Sequence, residues 1–272
     1  MKFDDELETC ELKVLESSDL EKLAAQNSRL LPSWQANKLE AEAKKHWDLF
    51  YKRNENRFFK DRHWTTREFK ELLQIEDGGR KSLLEVGCGT GNLIYPLLEE
   101  GLNLEFWVCD ISPRALDIVR QHPLYSEDVV HTVLADITQP GSLSTISEVN
   151  IVTLVFVLSA LHPTKMKDAV LNICSKLKPG GTLLFRDYAR WDMTQLRFGP
   201  GRKIEENFYA RQDGTRSYFF TIEEVDELFR EGGLSKISNV YIKRRTINKK
   251  ENIDVPRYFV QAKYTKPHSA NT

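Results

Sequence analysis

One heptapeptide does most to limit what this chain can fold into: Glu85-Val86-Gly87-Cys88-Gly89-Thr90-Gly91. It follows an apolar run over 82–86 and precedes a helical pattern over 93–100, so its glycines sit where a strand gives way to a helix. Glycines there let the backbone bend sharply and approach a ligand with no Cβ in the way. Position 92 is asparagine, so the pattern is not GxGxxG but an acid inside the strand followed by GxGxG. Cys88 reads as loop filling rather than a nucleophile.

Strand-like and helical patterns alternate from this point. Strands are expected over 104–109, 129–134, 151–158 and 182–187, with helices over 113–121 and 164–177. Lys178-Pro179-Gly180-Gly181 reads as a turn. A helix from about residue 222 and strands near 235–244 and 257–264 close the chain. Alternation of this kind predicts an α/β fold, a doubly wound, Rossmann-like parallel sheet. Two regions stand outside it: an α-helical N-terminal extension and an insertion after the fifth strand. The divisions expected are an acidic, partly disordered leader over 1–35, an aromatic and basic extension over 36–75, and a core over 76–187. An insertion over 188–220, a completing segment over 221–265 and a tail over 266–272 follow.

Charge and cysteine usage narrow the function classes. Net charge is −1, but residues 1–21 hold eight acids against Lys2 and Lys13, which leaves a modestly basic body compatible with an anionic partner. The four cysteines form no CxxC pair and read as reduced thiols of a cytoplasmic protein, or of one shared with the nucleus. The six histidines lack ligand spacing, so no metal is expected. The longest apolar run, 151–161, falls short of the roughly 20 residues that span a bilayer, so no membrane partner is expected either.

Three acids end successive strands. Glu85 can face a ligand's ammonium group, which a dinucleotide lacks and S-adenosylmethionine has. Asp110, 23 residues after Gly87, stands where an acid binds ribose hydroxyls, and Asp136 where a carboxylate accepts from an adenine amino group. Taken singly, Asp110 and Asp136 read equally well as turn or helix-cap residues.

The order of parts resembles a class I S-adenosylmethionine-dependent methyltransferase. Five segments outside the glycine loop resemble the tRNA 3-methylcytidine methyltransferases more specifically. They are Trp47-Asp48-Leu49-Phe50-Tyr51, Phe58-Phe59-Lys60-Asp61-Arg62-His63-Trp64, the run Phe156 to Pro163, Phe185-Arg186-Asp187-Tyr188, and the run Glu206 to Arg216. His63-Trp64-Thr65-Thr66-Arg67-Glu68-Phe69 is most similar to the branch acting on serine tRNAs. The resemblance implies a tRNA methyltransferase forming 3-methylcytidine at position thirty-two of the anticodon loop, with seryl-tRNA synthetase as a partner presenting serine tRNA. It carries cofactor contacts over to Trp47, Tyr51, Gly87, Asp110, Asp136, Ile137 and Val155, beside Glu85, Gly89 and Gly91 of the loop. An i, i+4 Trp/Tyr pair puts two aromatic faces on one side of a helix, as a lid or as a packing seam.

Cations interleaved with aromatics suit single-stranded RNA, because phosphates bind the cations and bases stack on the rings. The expected RNA-binding residues are Arg57, Phe58, Phe59, Lys60, Arg62, His63, Trp64 and Arg67, with Arg211 and Arg216 in the insertion. Lys243-Arg244-Arg245 adds a second basic cluster. Asp187, at the end of the fifth strand, is the expected contact to the cytosine amino edge, with Arg186 and Tyr188 shaping the pocket. An ion pair between Asp187 and Arg186 is the plainer alternative. Two other functions share the loop and acids: a small-molecule methyltransferase and a non-catalytic binding subunit.

Overall fold

The computed structural model describes residues 8–58, 60–73, 79–248 and 253–268. The chain opens with a two-residue strand, β1 (Thr9–Cys10), and three helices, α1 (Ser17–Asn27), α2 (Ser33–Ala41) and α3 (Ala43–Asn54). A single turn, α4 (Thr65–Glu68), leads into the alternating core. That core runs β2 (Lys81–Val86), α5 (Ile94–Glu99), β3 (Leu104–Asp110), α6 (Pro113–Arg120), β4 (Val130–Leu134), β5 (Val149–Val155), α7 (Pro163–Cys174) and β6 (Leu177–Tyr188). The insertion supplies α8 (Met193–Leu196), β7 (Lys203–Glu205), β8 (Phe208–Ala210) and β9 (Arg216–Tyr218). Helix α9 (Ile222–Glu231) and strands β10 (Ser235–Asn248) and β11 (Ile253–Thr265) follow.

The main sheet has the order β1-β10-β11-β6-β5-β2-β3-β4. Pairings from β4 through β2 to β6 are parallel; β11, β10 and β1 are antiparallel. The doubly wound sheet expected from the alternation is therefore present. Strand order reverses beside β2, so the glycine loop opens into the crevice where such sheets bind ligands. Central strands carry apolar side chains on both faces, because helices cover both. Local signals set the helix starts. Ser112 caps α6 ahead of Pro113, and Thr221 and Glu224 form a reciprocal capping box on α9.

Three expected boundaries move. The strand expected over 151–158 stops at Val155, since Phe156 takes a φ of 61° and the chain tightens into a 3-10 turn over Leu158–Ala160. Lys178-Pro179-Gly180-Gly181 lies inside β6 as a bulge: Leu177 pairs with Val149 and Thr182 with Ile151. Lys266 closes that bulge, accepting from Gly180 N at 2.7 Å and donating to Gly181 O at 2.9 Å. Finally, β10 and β11 stay in register out to Asn248 and Ile253, giving a longer ribbon than two strands ending near Arg244 and Arg257.

From residue 8 the leader is an ordered strap; residues 1–7 of the expected partly disordered segment lie outside the described residues. Strand β1 pairs with the edge of β10. Helix α1 docks on the insertion: Gln26 Nε2 donates to Gln195 O (2.8 Å), Tyr209 Oη to Gln26 Oε1 (3.0 Å) and Lys203 Nζ to Asn27 Oδ1 (2.7 Å). Leu31, Leu39 and Ala210 form a small shared core, each leucine contributing roughly 1.5–3 kcal/mol. Leader, extension and insertion thus pack as one layer on the strand ends.

Candidate active site

A cleft with about 640 Å³ of empty space opens at the C-terminal ends of β2, β3 and β5. Its walls bring together Trp47 and Tyr51 from α3, Gly87 from the loop, and Asp110, Asp136 and Ile137 from the strand ends. The three loop glycines take φ values of 62°, 55° and 84°. A Cβ on Gly87 would lie 2.6 Å from Val157 Cγ2, and one on Gly89 would lie 2.9 Å from Tyr51 Oη. The loop's close approach to its surroundings therefore requires glycine.

The acids differ in what already holds them. Asp110 accepts from Gly89 N and Ser112 N, both at 2.9 Å, and burial pushes its pKa up to about 6. Asp110 thus closes a turn ahead of α6, whose cap is Ser112, and its carboxylate keeps further acceptor sites after two bonds. Asp136 folds back on Thr138, accepting from its N (3.0 Å) and Oγ1 (2.7 Å), at the cleft wall. Glu85 is fully buried; its Oε1 stands 3.8 Å from Arg62 Nη1 and its Oε2 has no hydrogen-bond partner. Desolvation pushes its pKa up to about 8, against the pull of Arg62. A buried acceptor without a donor is costly, and a ligand ammonium group would satisfy it. A guanidinium beside a carboxyl group that ionises when an ammonium group meets it is also the complement of an α-amino acid head group. The residues fit S-adenosylmethionine.

Arg62 was expected on the RNA surface, and the structure corrects that. Its side chain is largely buried, within 3.8 Å of Glu85 and 5.9 Å from the centre of the Phe156 ring. Backbone bonding explains the placement: Arg62 N donates to Asn92 O at 2.8 Å, tying the 60–64 loop to the glycine loop. Trp64 is also turned inward, with the Arg186 guanidinium 3.9 Å from its ring centroid. Arg57, Phe58, Lys60, His63 and Arg67 remain exposed, while Phe59 lies outside the described residues. The Phe58 ring stands 4.9 Å from that of Phe50, so it is half surface and half packing.

The fifth-strand residues part company. Arg186 pairs with Glu68, not with Asp187, so the local ion pair is absent, and so is a pocket-shaping role for Arg186. Burial pushes its pKa down to about 9, still leaving it charged at neutral pH. Glu68 takes a second bond from Arg244 Nη2 at 2.9 Å, so one acid joins β6 to the β10–β11 ribbon. Asp187 is fully buried, accepting from Ser159 N (3.0 Å) and Tyr188 N (2.9 Å), and desolvation pushes its pKa up to about 6. It braces the 3-10 turn and is not among the residues lining the cleft. Tyr188 packs behind the cleft wall, its ring 5.0 Å from that of Phe156, which lines it. Val155 packs in the core, with Phe156 and Val157 forming the wall beyond it. In the insertion, Arg211 lies 5.4 Å from the Tyr188 ring centroid, and Arg216 is buried in an ion pair with Glu40. Arg216 is thus a tie between insertion and α2, and it also lines the cleft.

Sequence reasoning missed Glu40, Glu68, Asp48 and Phe156. Asp48 accepts from Ser112 Oγ at 2.9 Å and fixes α3 over the cleft. Its place inside the Trp47–Tyr51 run was the available signal, as were the His63–Phe69 run for Glu68 and the Phe156–Pro163 run for Phe156; nothing marked Glu40.

Comparison with known proteins agrees with this geometry. A methyltransferase domain family matches residues 51–239. The tRNA N(3)-cytidine methyltransferase METTL6 of Mus musculus is 51% identical over 259 residues, covering 94% of this chain and 92% of that protein. The Schizosaccharomyces pombe tRNA N(3)-methylcytidine methyltransferase trm141 is 42% identical over 244 residues, covering 88% and 98%. Among solved structures, the N-methyltransferase NodS from Bradyrhizobium japonicum, bound to S-adenosyl-L-homocysteine, shares the fold with a TM-score of 0.53 at 20% identity, covering 85% of this chain and 99% of that one. With its glycine loop, strand-end acids and aromatic helix in one cleft, the chain belongs to the tRNA N(3)-cytidine methyltransferase family.

Proposed function

We propose that this protein transfers a methyl group from S-adenosylmethionine to N3 of an unpaired cytosine in tRNA. The observation that carries the reading is the buried Arg62–Glu85 pair at 3.8 Å with Glu85 Oε2 left without a donor. When bound, S-adenosylmethionine supplies an electrophilic methyl group on a sulfonium. Glu85 would hold the ammonium group and Arg62 the carboxylate of its amino-acid end. Asp110 would hold the ribose hydroxyls and Asp136 the adenine amino group, with Trp47, Tyr51 and Ile137 excluding water. Cytosine N3 is unavailable within a base pair, so the base must enter unpaired or flipped. The Phe156 ring offers a face for it to stack on. Cytosine N3 is unprotonated near neutral pH, so the site needs alignment rather than a general base. Asp187 is then a positioning residue that fixes Tyr188 and the 3-10 turn.

Serine tRNAs as the favoured substrates, position thirty-two as the target, seryl-tRNA synthetase as a partner and a cytoplasmic location that extends to the nucleus are proposed too. The His63 to Phe69 run and the 51% identity to METTL6 support the serine branch. Mass spectrometry of nucleosides from tRNA incubated with the protein and labelled cofactor tests the central claim, with 3-methylcytidine the expected product. No RNA methylation and no gel shift with tRNA would favour a small-molecule substrate. Equal methylation of serine and threonine tRNAs, unmoved by the synthetase, would overturn the serine branch alone.

A further inference from the structure

We infer that the insertion carries a phosphate pocket that grips the RNA backbone beside the target cytidine, an inference that rests on the tRNA reading above. The pocket encloses about 700 Å³ of empty space and is walled by Thr194, Arg197, Phe198, Arg202, Arg211 and Gln212, among others. Three guanidinium groups line one concavity, and no carboxylate lines it. Among the described residues, Arg197 and Arg202 form no ion pair; Arg197 reaches only Met193 Sδ at 3.8 Å. Arg211 is the inner wall. Its Nη2 donates to Ser217 Oγ at 3.1 Å, while its buried Nε has no partner. Asp213 and Asp187 both act on it electrostatically, and each is already engaged. Asp213 accepts from Thr215 N (2.9 Å) and Oγ1 (2.7 Å), and Asp187 from Ser159 N (3.0 Å) and Tyr188 N (2.9 Å).

Three arginines gathered in a concavity that no carboxylate lines repel one another, and an unpartnered buried N–H is costly. A phosphodiester answers both, since guanidinium forks match phosphate oxygens with paired hydrogen bonds. Position selects the backbone of the substrate over another anion. Arg211 lies 5.4 Å from the Tyr188 ring centroid, and that ring lies 5.0 Å from Phe156 in the cleft wall. Two ring contacts therefore separate the arginine pocket from the place where a base meets the methyl donor. A nucleotide with its base in the cleft carries its own phosphate toward this pocket.

The test uses the full chain with an anticodon stem-loop, read by fluorescence anisotropy across a salt series. Arg197→Gln and Arg202→Gln should each weaken stem-loop binding roughly tenfold and lower the salt slope by about one, leaving cofactor affinity unchanged. Replacing the one phosphodiester beside the target cytidine with a neutral methylphosphonate should weaken wild-type binding similarly, and cost Arg202→Gln nothing further. Wild-type affinity and slope in both arginine variants would overturn the inference, as would full additivity with the methylphosphonate. Inorganic phosphate titrated alone distinguishes a free-anion site: saturation that leaves stem-loop affinity intact also overturns it. A wild-type protein that binds the stem-loop without forming 3-methylcytidine would instead overturn the tRNA-methylation reading.

Discussion

Two buried glutamates in this protein have opposite surroundings. Glu68 has both oxygens taken, by Arg186 and by Arg244, and joins α4, β6 and the β10–β11 ribbon into a closed brace. Glu85 has one oxygen 3.8 Å from Arg62 and the other without a partner, and burial pushes its pKa up to about 8. A closed set of charges holds the fold together. An open set costs the fold stability until a ligand completes it. The contrast separates brace from binding site more sharply than burial does, since both acids are buried.

Glu68→Gln should produce the largest effect. It leaves the Arg186 charge buried without its anion, a change that typically costs about 3–5 kcal/mol. Urea unfolding should show that loss, while the folded fraction still binds cofactor; a variant as stable as the parent would dissolve the contrast. Asp110→Ala should come next, on the binding side. Losing a charged acceptor for the ribose should cost roughly 1.5–3 kcal/mol, or one to two decades in Kd by calorimetry. Unfolding should show a further loss of about 1–3 kcal/mol, because Gly89 N and Ser112 N lose their acceptor. Unchanged affinity would remove Asp110 from the site.

Glu85 should reveal itself through pH. Its carboxyl pKa is raised in the fold from 4.5 to about 8, so the folded state holds a proton that the unfolded state has lost. The sign follows: ligand-free stability should fall as pH rises between those values. Cofactor affinity should rise over pH 6 to 8, approaching tenfold per unit, because the ammonium group needs the ionised acid. Glu85→Gln should flatten both trends; identical pH profiles would count against an open acid. The smallest effects belong to the exposed cations. Lys60→Gln or Arg67→Gln should stay within about 0.5 kcal/mol of wild-type stability and lower the salt slope of tRNA binding by about one. A slope equal to wild type would take that surface out of RNA binding.

The parallel core was legible in the sequence because both signals that specify it are local. Apolar periodicity marks each strand, and a glycine with positive φ marks the loop. The places of Asp110 and Asp136 at strand ends, on the cleft wall, were legible for the same reason. What was not legible depends on partners far away in sequence. Arg62 reads as one more cation in a basic run until Glu85, 23 positions later, draws it inward. Trp64 reads as a base-stacking ring until Arg186 covers it. Nothing in the leader's sequence names its neighbour, yet Gln26 and Asn27 meet residues 195, 203 and 209 of the insertion. Amphipathic spacing reveals that a helix has an inner face, not which surface it will meet.

The tie between Arg216 and Glu40 spans 176 residues, and it has a consequence for the order of events on the ribosome. Helices α2 and α3 are synthesised early, carrying Leu39, Trp47, Phe50 and Tyr51, but the surfaces that cover them come from α6 and the insertion. A growing chain folds from its N-terminal side as units become complete. The aromatic wall on α3 can dock once α6 has emerged, whereas α2 must wait, uncovered, until the insertion is made. Stalling between β6 and β9 would yield a sheet with its glycine loop and α3 in place and α2 undocked, a species exposed to chaperones and proteases. Nascent chains arrested before and after residue 216 should differ abruptly in protease resistance across α2.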